Sequence, residues 1–154
     1  MNGGIRTRLG VTVLALACSG PAAEGPPEIR YGLDACERCR MSIDDPRFAA
    51  AVRTGAGEVL RYDDIGDLLA HRQGAGMEGV EVWLHDYADR SWIRAREAVL
   101  VRSELTTPMG SGLVAFAERA TAERLVTERG GQLLEWSALA GGLEAPEHDD
   151  HRTP

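Results

Sequence analysis

Apolar positions in this chain change period along its length, and the changes mark elements. Residues 48–53 (Phe-Ala-Ala-Ala-Val-Arg) and 58–62 (Glu-Val-Leu-Arg-Tyr) read as two strands. Ile65, Leu68 and Leu69 then fall at i, i+3 and i+4, the spacing of one helical face, which predicts a helix over 64–73. Asp63 or Asp64 stands where a short acceptor side chain can satisfy the first free N–H groups of that helix. Gly74-Ala75-Gly76 ends it, and a further strand is expected over 80–87.

The same order then returns. Strands at 97–103 and 112–116 precede a helix at 118–129, whose stripe is Ala122, Leu125 and Val126, and a strand at 132–136. Gly130-Gly131 supplies the helix stop. A short connecting strand is expected near Trp92-Ile93. In each half a strand ends on an aromatic (Tyr62, Phe116), then come a helix opened by an acid and a strand reaching a tryptophan (Trp83, Trp136). The predicted fold is therefore α+β, built of two repeated ββαβ units over 31–90 and 91–140. Neither unit buries enough apolar surface alone, so the two should pack together.

The ends of the chain lack such periodicity. Arg6 and Arg8 precede a short apolar run from Leu9 to Ala17, too short to span a bilayer, and Cys18 follows at once. Residues 1–17 thus read as a lipoprotein export signal, with Cys18 as the acylated residue. The three prolines within 19–30 suggest that 18–30 form the anchor and a tether, and the acidic 141–154 is expected to be a disordered tail. His148 and His151 lie in that tail as solvated side chains. Loss of the leader removes two arginines and no acids, moving the net charge from −7 to about −9. Such a surface argues against nucleic acid as a partner and offers no polybasic membrane patch. The membrane would be held through acyl chains, with the body in the extracytoplasmic space of the cell envelope.

The distinctive chemistry is Cys36-Glu37-Arg38-Cys39-Arg40-Met41, with three sulfur donors in six residues. A Cys-x-x-Cys pair in an oxidising compartment can close a disulfide. A thioredoxin-like redox pair needs a preceding strand and a following helix, and neither is visible here. Structural zinc asks for four cysteine or histidine ligands, whereas this chain offers two cysteines and, in its body, the isolated His71 and His85. Thiolate and thioether together suit Cu(I), which favours sulfur. Met41 stands two residues from Cys39, on the same side of an extended segment. Arg38 and Arg40 are either ordinary surface arginines or cations favouring the thiolate. Met77 receives no role. Met109, in the loop Thr106-Thr107-Pro108-Met109-Gly110, reads by composition alone as packing.

Four patches of the sequence resemble the NosL-type accessory proteins of nitrous oxide reductase. They are Asp34 to Met41, Tyr62-Asp63-Asp64-Ile65-Gly66-Asp67, His85-Asp86-Tyr87 with Trp92 after it, and Thr107-Pro108-Met109-Gly110-Ser111-Gly112 running on to Phe116. The resemblance implies an exported copper-binding lipoprotein, not an enzyme, with two ββαβ halves related to the organomercurial lyase fold. Its implied role is to supply Cu(I) for the copper–sulfide catalytic centre of nitrous oxide reductase, working with an ABC-type transporter complex. The family's Cys-x-Met pair falls on Cys39 and Met41, and its Pro-Met-Gly loop on Met109, as metal ligands. Cys36 is a further ligand or a disulfide partner. Between cysteine and methionine the family often has glycine, where this chain has Arg40. The alternative on the same fold is a copper-binding module serving another extracytoplasmic cuproenzyme or a metal-resistance pathway. Lyase activity is disfavoured because the second half of the chain contains no cysteine.

Overall fold

The structure, a computed structural model, describes residues 25–72 and 80–141. Cys18, Met77, His148, His151, the export signal and nearly all of the acidic tail lie outside the described residues. None of the described helices is long and apolar enough to cross a membrane.

The first unit runs β1 (Ala50–Arg53), β2 (Val59–Tyr62), α1 (Ile65–Arg72) and β3 (Glu81–His85). β1 takes the centre, with β2 and β3 antiparallel on either side, and β4 (Trp92–Arg94) adds to the outer edge of β3. The second unit repeats the order as β5 (Val99–Arg102), β6 (Leu113–Phe116), α2 (Arg119–Arg129) and β7 (Gln132–Glu135). Here β5 is central between β6 and β7. The expected pair of ββαβ units is the observed architecture.

Strand alternation sorts the side chains into two cores. Ala50, Val52, Tyr62 and Leu84 join Ile65, Leu68 and Leu69 of α1 in one cluster. Leu100, Leu113 and Ala115 from the second sheet enter that same cluster. Val99, Val101, Val114 and Phe116 face the other way, with Ala122 of α2. Both faces of β5 are thus buried, which explains its unbroken Val-Leu-Val run. The sheets also meet directly, through a parallel bridge from Asp86 to Ala115. The Tyr87 N–H donates to the Ala115 carbonyl at 2.8 Å, and the Asp86 carboxylate accepts from Ala117 N–H at 2.7 Å.

Several expected boundaries shift. The strand expected from 48 begins at Ala50, because Pro46–Phe48 form a 3-10 turn capped by Asp45. The strand expected from 97 begins at Val99, after a similar turn at Ala95–Glu97. The strand expected through Tyr87 ends at His85. The strand expected through Trp136 ends at Glu135, and Trp136 opens a short helix, α3 (Trp136–Gly141). One helical turn carries both Trp136 and Leu139 into the first unit's core, which a continued strand would not. The division at residue 90 shifts too, since β4 completes the first sheet. Finally, the tether expected over 18–30 gives way to a packed strap from Gly25 onward. Pro27 and Ile29 are buried, Arg53 reaches the Gly25 carbonyl at 3.1 Å and Arg61 the Glu28 carbonyl at 2.8 Å.

Candidate metal centre

The strap leads into a tight hairpin holding the cysteines. Asp34 is clamped by the Arg30 backbone N–H (2.9 Å) and guanidinium (2.6 Å), which hold its carboxyl below the usual carboxylate range. Ala35 bridges Ser42, the Cys36 N–H donates to the Met41 carbonyl at 2.8 Å, and the Arg40 N–H donates to the Cys36 carbonyl at 3.0 Å. The turn closes only because Arg40 adopts a left-handed backbone, φ 65°. Glycine is the residue that enters that region without steric cost, so an arginine here carries strain. The Glu37 N–H, donating to the Arg61 carbonyl at 2.8 Å, then seats the hairpin against the end of β2.

β2 runs directly into α1, and the junction supplies the rest of the site. Asp63 stands just ahead of the helix and Asp67 in its first turn, and both carboxylates face the cysteines. The Cys36 thiol lies 3.5 Å from Asp67 Oδ2, and the Cys39 thiol lies 3.5 Å from both oxygens of Asp63. One donor atom from each of these four residues fits within 4.8 Å of the others. Cys36 is wholly buried and Cys39 half-buried, and both are free thiols. Burial pushes the Cys36 thiol up to about 12, against the opposing pull of the Cys39 and Asp63 backbone N–H groups. Burial also raises Cys39, opposed by the Met41 N–H and the Cys36 thiol. Any metal that binds here must displace thiol protons.

The arginines do not serve the thiols. Arg38 pairs with Asp67 at 2.7 Å and Arg40 with Glu37 at 3.1 Å, so both positive charges are engaged by carboxylates. Met41 is exposed at the hairpin's end, 57% accessible. Met109 arrives from the second unit, 40% accessible, on a loop whose own N–H donates to Asp64 Oδ2 at 2.9 Å. Asp64 is the helix-opening acid. Its other oxygen accepts the Gly66 N–H at 2.7 Å, as a cap should.

A family model for NosL matches residues 31–142, most of the chain. The chain belongs to the NosL family. It is also similar to the crystal structure of the copper chaperone NosL from Shewanella denitrificans, with 26% identity and a TM-score of 0.59. That likeness covers 71% of this chain and 94% of the other. No curated protein matches.

In this NosL-family chain three of the four motif patches converge on the start of α1. The cysteine hairpin meets Asp63 and Asp67, and the Met109 loop meets Asp64. The fourth patch does other work. His85 is buried, its Nε2 2.6 Å from the Tyr31 hydroxyl and its Nδ1 2.7 Å from the Arg90 carbonyl, with its ring 3.7 Å from that of Trp92. It braces the strap against β3. His71 meets the Tyr62 hydroxyl at 2.8 Å, and neither histidine joins the cysteine–aspartate group. The carboxylates of that group were missed as site residues, since acids opening a helix read first as caps. The available signal was their number, three acids within five residues where one cap suffices.

Proposed function

We propose that this protein is an exported Cu(I) metallochaperone that delivers copper for assembly of the copper–sulfide centre of nitrous oxide reductase, together with an ABC-type transporter complex. The observation that carries this reading is the meeting of two thiols with two carboxylates, one donor atom of each within 4.8 Å of the others. Family membership and the likeness to a copper chaperone agree with it. Sulfur donors favour Cu(I) over harder ions. Copper is cargo here. Cys39, Met41 and Met109 would present it at the accessible side, with Cys36 beneath, so an incoming donor can replace the outer ligands one at a time. Cys18 would hold the protein to a membrane by acyl chains, facing the extracytoplasmic space.

The binding part is tested by titrating reduced, leaderless protein with Cu(I) against a competing chelator and counting sulfur neighbours by X-ray absorption. A Cys39→Ser protein that kept full Cu(I) affinity would overturn the site. The delivery part is tested in cells. Deletion of the gene should leave nitrous oxide reductase without the absorption of its copper–sulfide centre, and the Cys39→Ser gene should not restore it. If the centre assembles normally in the deletion strain, another cuproenzyme or a resistance pathway is the client.

A further inference from the structure

Asp64 is as buried as any residue in the protein, yet its carboxylate approaches neither thiol nor cation among its hydrogen-bond partners. A carboxylate removed from water persists only where donors replace its hydration. Three do so here. Gly66 N–H serves Oδ1 at 2.7 Å, while Thr107 Oγ1 and the Met109 N–H serve Oδ2 at 2.6 and 2.9 Å. Capping α1 uses just one oxygen. The second reaches across 43 and 45 residues of sequence to the other unit.

A second observation at the same junction is steric. A Cβ built on Gly66 would stand 2.4 Å from the Cβ of Ser111, in the same loop as Met109. The first turn of α1 therefore carries no side chain where this loop lies against it. Asp64 draws the loop in, and Gly66 leaves room for it. Both belong to the helix start that also holds Asp63 beside Cys39 and Asp67 beside Cys36.

We propose that Asp64 is a positioning residue of the copper site: it locks the Met109 loop of the second unit onto the helix turn that walls the thiols in the first, and so sets where the Met109 thioether stands. The inference rests on the reading of Met109 as a Cu(I) ligand. It makes the site a property of the packed pair of units, because one buried carboxylate ties the Met109 loop of the second to the helix turn that faces the thiols in the first.

The test uses the reduced, leaderless chain, Cu(I) with a colorimetric chelator as competitor, and sulfur counting by X-ray absorption. Met109→Leu should cost one sulfur neighbour and on the order of tenfold in affinity. Asp64→Asn is isosteric but brings amide protons toward the Met109 N–H and the Thr107 hydroxyl. It should reproduce the loss of the sulfur neighbour and lower affinity several-fold while near-ultraviolet dichroism keeps its folded form. The double variant should bind no more weakly than Met109→Leu alone, since residues acting as one unit are not additive. Gly66→Ala removes no polar group and favours helix, yet forces the loop outward by about 1 Å, and should do the same. It decides the matter if Asp64→Asn fails to fold. Asp64→Asn or Gly66→Ala protein that is folded and retains the sulfur count that Met109→Leu loses would overturn the positioning role alone. An unchanged count in Met109→Leu itself would overturn both this role and the ligand reading of Met109.

Discussion

Arg40 provides the sharpest check on the hairpin, because its backbone angle is costly for its side chain. At φ 65° an L-residue crowds its Cβ against the neighbouring carbonyl, a penalty of roughly 1–2 kcal/mol. Arg40→Gly removes that penalty and adds about 0.5–1 kcal/mol of chain entropy in the unfolded state. It also loses the ion pair with Glu37, in which Arg40 is 70% exposed, a contact of about 0.5 kcal/mol at most. Arg40→Ala loses the ion pair and keeps the strain. The glycine protein should therefore be roughly 1 kcal/mol more stable than the alanine protein and within about 1 kcal/mol of the parent. Urea unfolding of the reduced chain reads this directly. With a slope of about 1–3 kcal/mol per molar, the two midpoints should differ by roughly 0.3–1 M. An alanine protein as stable as the glycine protein would mean that residue 40 is not left-handed, and the account of how Cys36, Cys39 and Met41 are brought to one turn would be refuted.

Other outcomes follow from the same geometry. Cys39→Ser should lower Cu(I) affinity by more than the roughly 10–100-fold typical of a group behind the ligands, measured by chelator competition. Gly112→Ala adds a Cβ 2.2 Å from the Ser103 carbonyl oxygen at a φ of 67°, and should cost about 2 kcal/mol or more. In calorimetry that is a fall in melting temperature of about 4 °C or more. Burial lowers the pKa of His85, so the unfolded chain takes up a proton that the folded chain resists. Its contribution to stability is complete above about 6.5 and is lost as pH falls toward the folded value. Urea midpoints should thus drop between pH 7.5 and 5.5, and His85→Gln should flatten that part of the profile.

The proposed ligands differ in burial and in the segments that carry them. Cys36 is sealed in the first core, while the exposed thioethers of Met41 and Met109 stand on separate segments. Copper held among them would be bound by groups that can be released separately, which suits a carrier better than a fixed centre. The Arg38–Asp67 pair at 2.7 Å, with Asp67 buried, fixes the carboxylate that faces Cys36.

What the sequence alone determined was whatever depends on near neighbours. The i, i+3, i+4 stripe of Ile65, Leu68 and Leu69 reports a helix because its period is a property of the backbone, and all three are buried. The repeated hairpin, helix and strand were readable for the same reason, as was the sulfur cluster, six residues whose donors need no distant partner to be recognised. Tertiary structure decided the rest. Nothing local marks Trp136 as helical, since what turns it is a place in the first unit's core. Nothing in 25–30 announces a strap, since Pro27 and Ile29 are buried only by a sheet formed later in the chain. Asp63, Asp64 and Asp67 look alike in sequence, three acids at a helix start. Their different duties, facing Cys39, holding Met109 and facing Cys36, arise from contacts 24 to 45 residues away. Such contacts form only when two sheets pack, and their partners are chosen by the whole fold.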